Sequence, residues 1–174
     1  MRFVQVSDLH LVSDGQKLHG LDPVRRFKRC IADINTHADR LDFCVITGDL
    51  CDRGDRESYE ILRTLLKDLK LSCHLMMGNH DRRDNFFEVF PTAAKDPDGF
   101  AQGELATDSH VFLFLDSVDE GEHAGLYCDR RQAWLSERLA QAGGRPVYVF
   151  MHHPPFEIGF PALERMTRSE GERV

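Results

Sequence analysis

Apolar residues along the chain alternate between short runs and longer stretches in which they recur every three or four positions. The longer stretches predict amphipathic helices. These helices cover 22–38, 56–69, a brief segment at 86–90 that ends before Pro91, and 129–142. Asp22, Asp55 and Asp129 stand at the starts of three of them and are predicted caps, with Pro23 in the first turn after Asp22.

The short apolar runs between these helices are rich in β-branched and aromatic residues, which is typical of buried strands. The predicted strands cover 3–6, 43–47, 74–77, 100–107, 110–115 and 147–151. The fourth and fifth form a predicted hairpin that turns at Asp108-Ser109. Strands alternating with helices predict an α/β fold with a mostly parallel sheet. The absence of repeats and linkers predicts a single domain over 1–174.

Polar residues follow four of the predicted strands, at the point where each strand ends. The segments concerned are Ser7–His10, Gly48-Asp49, Gly78–Asp81 and His152-His153. The carboxyl ends of parallel strands meet at one edge of a sheet, where open α/β sheets bind their ligands. The side chains expected there are those of Asp8, His10, Asp49, Asn79, His80 and His152. Because this set includes imidazoles, it suits Mn, Fe, Co or Zn better than Ca or Mg.

Single pieces of this pattern have ordinary structural explanations. A Gly-Asp after a strand is usually a turn, and isolated histidines such as His37, His74 and His110 are expected at the surface or in structural roles. Asp52 either stabilises its loop or caps the next helix. The recurrence of polar segments after four strands is what favours a metal site.

Composition narrows the functional classes further. Apolar residues make up 41% and charged residues 29%, which excludes disorder and coiled coil. A formal charge of −7 argues against stable nucleic-acid binding by a basic surface. We expect no membrane partner because no apolar run is long enough to span a bilayer. The first strand follows Met1 almost directly without a signal-peptide pattern, and the five cysteines form no CxxC pair, so we expect reduced thiols in a cytoplasmic protein.

The polar segments resemble the motifs of the calcineurin-like metallophosphoesterase superfamily. Four of its five blocks are present: Asp-x-His, Gly-Asp, Gly-Asn-His-Asp and a later His. The segments 6–11, 15–20 and 151–155 are most similar to its cyclic-nucleotide and glycerophosphodiester phosphodiesterase branch. The resemblance implies layered β-sheets flanked by helices in an α-β-β-α order. It implies a metallophosphodiesterase in which a metal-bridging hydroxide hydrolyses a small phosphodiester.

The resemblance also implies a role for each matching residue. Asp8 and His10 would bind the first of two divalent ions (Mn, Fe, Zn or Co), and Asp49 would bridge both. Asn79 and His152 would bind the second ion, whereas His153 is the less favoured ligand of the pair. His80 would be the catalytic hydrogen-bond donor or general acid rather than a ligand. The implied substrate-binding residues are His19, Asn79 and His80.

The fifth block of the superfamily, Gly-His-x-His, has no counterpart, because no histidine follows His153. The sequence therefore predicts a C-terminally incomplete domain that binds metal weakly, with a charged helix over 163–174. Alternative functions are a phosphomonoesterase or nuclease of the same superfamily, or an inactive short form that serves as a binding module. Homo-oligomer formation is left open.

Overall fold

A central strand, β2 (Phe43–Thr47), organises the first part of the chain in the computed structural model, which describes residues 1–13 and 15–156. Two strands, β1 (Phe3–Val6) and β3 (Cys73–Met76), pair with it in parallel, in the order β1-β2-β3. All five β2 residues are buried, as is typical of a parallel strand that is covered on both faces. The prediction of a parallel sheet is confirmed.

The first two helices of this unit begin where the sequence predicts, whereas the third begins three residues before the predicted segment 86–90. These helices are α1 (Pro23–Thr36), α2 (Arg56–Leu66) and α3 (Arg83–Val89). The carboxylate of Asp22 accepts the Arg25 N–H and that of Asp55 accepts the Ser58 N–H, each at 2.9 Å, so both predicted caps are confirmed. Two helices end earlier than predicted, since the chain tightens into 3₁₀-type turns, over Ala38–Arg40 after α1 and at Lys67 after α2.

The second unit contains a mixed three-stranded sheet and one helix. Its elements are β4 (Gly103–Ala106), β5 (Val111–Phe114), α4 (Asp129–Gln141) and β6 (Val147–Phe150). β4 and β5 form the predicted antiparallel hairpin, and β6 pairs with β5 in parallel. The predicted core residues Trp134 and Leu135 of α4 pack against a buried cluster that includes Leu113 and Tyr127.

The start of α4 differs from the prediction. Cys128 occupies the cap position in extended conformation (φ −69°, ψ 166°), and Asp129 is the first helical residue. Because Asp129 already has helical backbone angles, its carboxylate is not placed to act as the N-cap. The side chain of Gln132 instead donates a hydrogen bond to the carbonyl oxygen of Tyr127 at 2.8 Å. The prediction that Asp129 caps this helix is therefore wrong.

A buried ion pair fixes the loop that follows β5. Arg131 Nη1 lies 3.5 Å from Asp116 Oδ1 and donates to the carbonyl oxygens of Asp116 and Val118, at 2.8 and 3.1 Å. The Asp116 carboxylate accepts the backbone N–H groups of Ala101 and Val118. Both charged side chains are almost fully buried, so each depends on the other for compensation.

The chain divides into these two units at Ala93. Together they give the predicted α/β fold of parallel and mixed sheets with helices. The single domain over 1–174 stays a prediction, and the charged helix predicted at 163–174 lies outside the described residues.

Candidate metal centre

The segment after β1 runs beside the segment after β2 and extends the parallel pairing beyond the strands. The backbone N–H of Asp8 donates to Gly48 O at 3.1 Å, and that of His10 donates to Asp49 O at 2.9 Å. Asp8, His10 and Asp49 all have left-handed backbone angles, with φ of 57°, 43° and 50°. Such angles are strained for residues other than glycine and cluster at functional sites. The fold therefore holds three predicted ligands in unusual conformations side by side.

The side chains of these residues converge on one point. His10 Nε2 lies 3.5 Å from Asp49 Oδ2 and 3.8 Å from Asp8 Oδ1. Ligand atoms of His10, Asp49 and His80 all lie within 4.8 Å of one another. Ligands bound at roughly 2.0–2.2 Å to one ion lie about 3–4 Å apart. Two carboxylates and an imidazole nitrogen at this spacing fit a divalent transition metal.

Asp52 contacts both imidazoles of the cluster. Its Oδ1 lies 3.6 Å from His10 Nδ1, a buried atom that has no hydrogen-bond partner among the described residues. Its carbonyl oxygen lies 2.7 Å from His80 Nδ1. A carboxylate behind a histidine orients the ring and raises the basicity of the nitrogen that faces the metal. The sequence left Asp52 open between loop stabilisation and capping. In the structure Asp55 is the cap of the next helix, whereas Asp52 contacts the cluster through its backbone carbonyl and faces the His10 ring with its carboxylate.

His80 sits directly against the other predicted site residues. Its backbone N–H donates to Asp49 Oδ1 at 3.0 Å, and its ring meets that of His10 edge-on, with centroids 4.7 Å apart. When Nδ1 carries the proton and donates to Asp52 O, the neutral ring presents Nε2 as its acceptor. The same nitrogen, once protonated, can donate to an anion. Geometry is compatible with either a ligand or a donor role for His80.

Asp81 is a buried carboxylate on which the two loops of the site converge. It accepts the backbone N–H groups of Gly78, Leu50 and Cys51 at 2.8–3.2 Å, and the Tyr59 hydroxyl at 2.9 Å. Burial raises the pKa of Asp81 to about 6, although these hydrogen bonds act in the opposite direction and lower the pKa. Because one carboxylate binds the segments after β2 and β3, Asp81 fixes the separation of Asp49 and Asn79. Sequence reasoning assigned Asp81 no role, although it follows the Gly-Asn-His motif directly.

The remaining predicted site residues are placed as follows. Asn79 is buried in the turn between Gly78 and His80. His19 lies in a turn with φ of 49° and lines a cavity of about 420 Å³ together with Asp8 and His10. His152 follows β6 in the second unit, and its role as a ligand stays a prediction.

His153, the neighbour of His152, is held inside the second unit. Its Nδ1 lies 2.8 Å from the Ser117 hydroxyl oxygen, and a Cβ at Gly125 would come within 2.6 Å of the ring. Burial, together with the charge of His152, lowers the pKa of His153 to about 4. These contacts give His153 a structural role as a neutral imidazole, and its place as the less favoured ligand of the pair stays a prediction.

Comparison with known proteins identifies the family. The family model for calcineurin-like phosphoesterases matches residues 1–172. A probable cyclic nucleotide phosphodiesterase of Rhodopseudomonas palustris is 38% identical over 94% of this chain and 61% of its own length. A glycerophosphodiester phosphodiesterase of Enterobacter lignolyticus is 32% identical over 100% of this chain and 64% of its own. A 3′,5′-cyclic-nucleotide phosphodiesterase of Nostoc is 27% identical over 92% of this chain and 59% of its own.

The chain thus spans about three fifths of the length of the curated relatives it matches. Within the part that the structure describes, none of the helices is both long and apolar enough to cross a bilayer. One conclusion follows from the motifs after the strands, from the geometry of Asp8, His10 and Asp49, and from the match over residues 1–172. The chain belongs to the calcineurin-like phosphoesterase family.

Proposed function

We propose that this protein hydrolyses small phosphodiesters with the help of divalent metal ions. The observation that carries the proposal is the convergence of His10 Nε2 on the carboxylates of Asp49 and Asp8, at 3.5 and 3.8 Å. The relatives named as cyclic nucleotide and glycerophosphodiester phosphodiesterases support phosphodiesters of these two classes as substrates.

Asp8, His10 and Asp49 would hold one ion, and Asn79 and His152 would complete a second site around Asp49. The donors are carboxylate, carboxamide and imidazole, which suit Mn, Fe, Zn or Co. When bound, divalent ions stabilise charge on a phosphoryl group and lower the pKa of water toward 7. Asp49 suits the shared position because its two oxygens face different partners, Oδ2 toward His10 and Oδ1 toward the His80 N–H.

The residues of the chain supply orientation and proton transfer. With the proton on His10 Nδ1, the Asp52 carboxylate, 3.6 Å away, would attract that side of the ring and leave Nε2 facing the carboxylates. His80, which contacts Asp52 O and Asp49 Oδ1, would donate a proton to the leaving oxygen or bind a phosphate oxygen. General acid catalysis of this kind contributes about 10²–10⁴-fold. Asn79 brings an oxygen without adding negative charge, which keeps the site attractive to an anionic substrate.

The test is hydrolysis of bis(p-nitrophenyl) phosphate, a diester, and p-nitrophenyl phosphate, a monoester, with added Mn²⁺. We expect turnover of the diester, and loss of that turnover in Asp49→Asn. A matched control is Asp39→Asn, which removes one carboxylate from an exposed 3₁₀ turn. Hydrolysis of the monoester alone would identify a phosphomonoesterase. A folded protein that hydrolyses neither compound would overturn the proposal.

A further inference from the structure

A strongly basic groove of about 650 Å³ lies on the first unit, in a chain whose formal charge is −7. Its cationic lining residues are Lys17, Arg25, Arg26 and Arg29. Arg26 and Leu21 also line the 420 Å³ cavity that contains His19 and the metal-centre residues Asp8 and His10. Groove and candidate metal centre are therefore continuous along one surface of the unit.

Within the part of the chain that the structure describes, the cations of the groove are not paired with neighbouring acids. Among the described residues that line the groove, the one carboxylate is Asp22, and it accepts the backbone N–H of Arg25 as the cap of α1. None of the four cations forms an ion pair with a carboxylate in the ranges 1–13 and 15–156. An acidic protein thus carries a concentrated patch of positive charge, which forms no ion pair with the described carboxylates.

This arrangement is unfavourable for the helix itself. Arg25 and Arg29 stand four positions apart on α1, where like charges repel. The first two turns of α1 contain further cations, Arg26 and Lys28, and its first turn contains no acid. Cations near a helix N-terminus also oppose the helix dipole. A bound anion would relieve both effects.

We propose that this groove binds a second anionic group of the substrate, so that the substrate is a phosphodiester carrying a further phosphate. The inference rests on the proposed function, which places the scissile diester at Asp8, His10 and Asp49. Guanidinium groups bind phosphate oxygens through paired N–H donors. Lys17 and the arginines would hold the distal phosphate, whereas His19 lines the adjoining cavity together with Asp8 and His10.

The first test measures anion binding without catalysis. Inorganic pyrophosphate is titrated into the 174-residue chain in EDTA at low salt, and binding is followed by NMR. We expect Arg29→Gln to weaken binding by roughly two- to fivefold, as for an exposed charge pair. The matched control is Lys28→Gln, because Lys28 is the adjacent exposed residue of α1, does not line the groove and loses the same charge. Equal affinities in both variants would overturn the inference.

The second test compares two dinucleotides with the same scissile bond, ApA and its 5′-phosphorylated form pApA, in the presence of Mn²⁺. We expect a lower KM for pApA than for ApA, and we expect Arg29→Gln but not Lys28→Gln to remove the difference. The difference should shrink at 1 M salt, where the Debye length falls to about 3 Å. Hydrolysis of both dinucleotides with equal KM would overturn the inference. If neither dinucleotide nor bis(p-nitrophenyl) phosphate is hydrolysed but pyrophosphate still distinguishes the two variants, the proposed function fails and the anion site stands. If bis(p-nitrophenyl) phosphate is hydrolysed and neither dinucleotide is, the inference about the substrate fails and the proposed function stands.

Discussion

At the scale of single residues, the candidate metal centre depends on side chains that are not themselves ligands. Tyr59 is fully buried, and its hydroxyl donates to Asp81 Oδ1 at 2.9 Å while it accepts the Arg82 N–H at 3.0 Å. Burial strongly raises the pKa of this hydroxyl, so it remains a proton donor at all ordinary pH values. One neutral hydroxyl thereby supports the carboxylate that joins the loops after β2 and β3.

Replacing Tyr59 by Phe tests this support. The change leaves the ring in place but removes one donor from Asp81 and one acceptor from the Arg82 N–H, both in a buried environment. We expect a loss of about 1–3 kcal/mol in the free energy of unfolding, measured by urea denaturation. The matched control is Tyr148→Phe, because Tyr148 lies exposed on β6 and stacks on Phe112 through its ring. A Tyr59→Phe protein as stable as this control would contradict the role.

At the scale of elements, the two predicted caps Asp55 and Asp129 provide a direct comparison. Asp55 accepts both the Ser58 N–H and the Ser58 hydroxyl at 2.9 Å, whereas Asp129 is already a helical residue. We expect Asp55→Ala to cost about 1 kcal/mol of unfolding free energy. Asp129→Ala should cost less, about 0.3–0.5 kcal/mol, because it loses only a favourable interaction with the helix dipole. Urea denaturation of both variants measures the loss of unfolding free energy. Equal losses in Asp55→Ala and Asp129→Ala would contradict the assignment of Cys128 as the cap.

We expect one histidine of strand β3 to make the stability of the fold depend on pH. His74 is partly buried and meets the Phe43 ring edge-on at 5.5 Å, and burial lowers its pKa from the ordinary 6.5. The unfolded chain therefore binds a proton at a higher pH than the folded chain does. Stability is unaffected well above pH 6.5 and is lost as the pH falls through that value. We expect His74→Phe to lose less stability than the natural protein between pH 7.5 and pH 5.5.

The measurement is the urea midpoint at the two pH values, taken in EDTA. The control is His37→Gln, since His37 is exposed after α1. Its removal should leave unchanged the stability that is lost between pH 7.5 and pH 5.5. If His74→Phe and the natural protein lose the same stability between pH 7.5 and pH 5.5, His74 does not contribute to the pH dependence of stability.

The elements were predictable because their signals are local. Helix α1 and its Asp22 cap can be recognised from spacing alone, since a helix repeats its buried face every three or four residues. The roles of Asp52 and Asp81 could not be predicted, because each depends on the approach of a second loop. The error at Asp129 has a different origin. Backbone angles put the cap position at Cys128, whose side chain makes no capping hydrogen bond and so gives no signal in the sequence.

At the scale of the whole molecule, the candidate site couples function to stability. Asp8 and Asp49 place two carboxylates around His10 Nε2, so without a cation their like charges repel. A metal that binds only the folded chain stabilises it by mass action, by about 2.7 kcal/mol at 100 times its Kd. For a chain of this size that corresponds to a rise of roughly 5–10 °C in Tm.

We therefore expect Mn²⁺ to raise the Tm of the natural protein and EDTA to reverse the rise. In Asp49→Asn the Mn²⁺-dependent rise should largely disappear, whereas the metal-free variant should be at least as stable as the natural protein, because one repelling charge is gone. The control Asp39→Asn, which lies in an exposed turn, should keep the full rise. Thermal scans with and without Mn²⁺ measure the Tm of the natural protein and of both variants. An undiminished rise in Asp49→Asn would place the stabilising metal elsewhere. A lower Tm in the metal-free variant would show that repulsion between the carboxylates does not destabilise the metal-free chain.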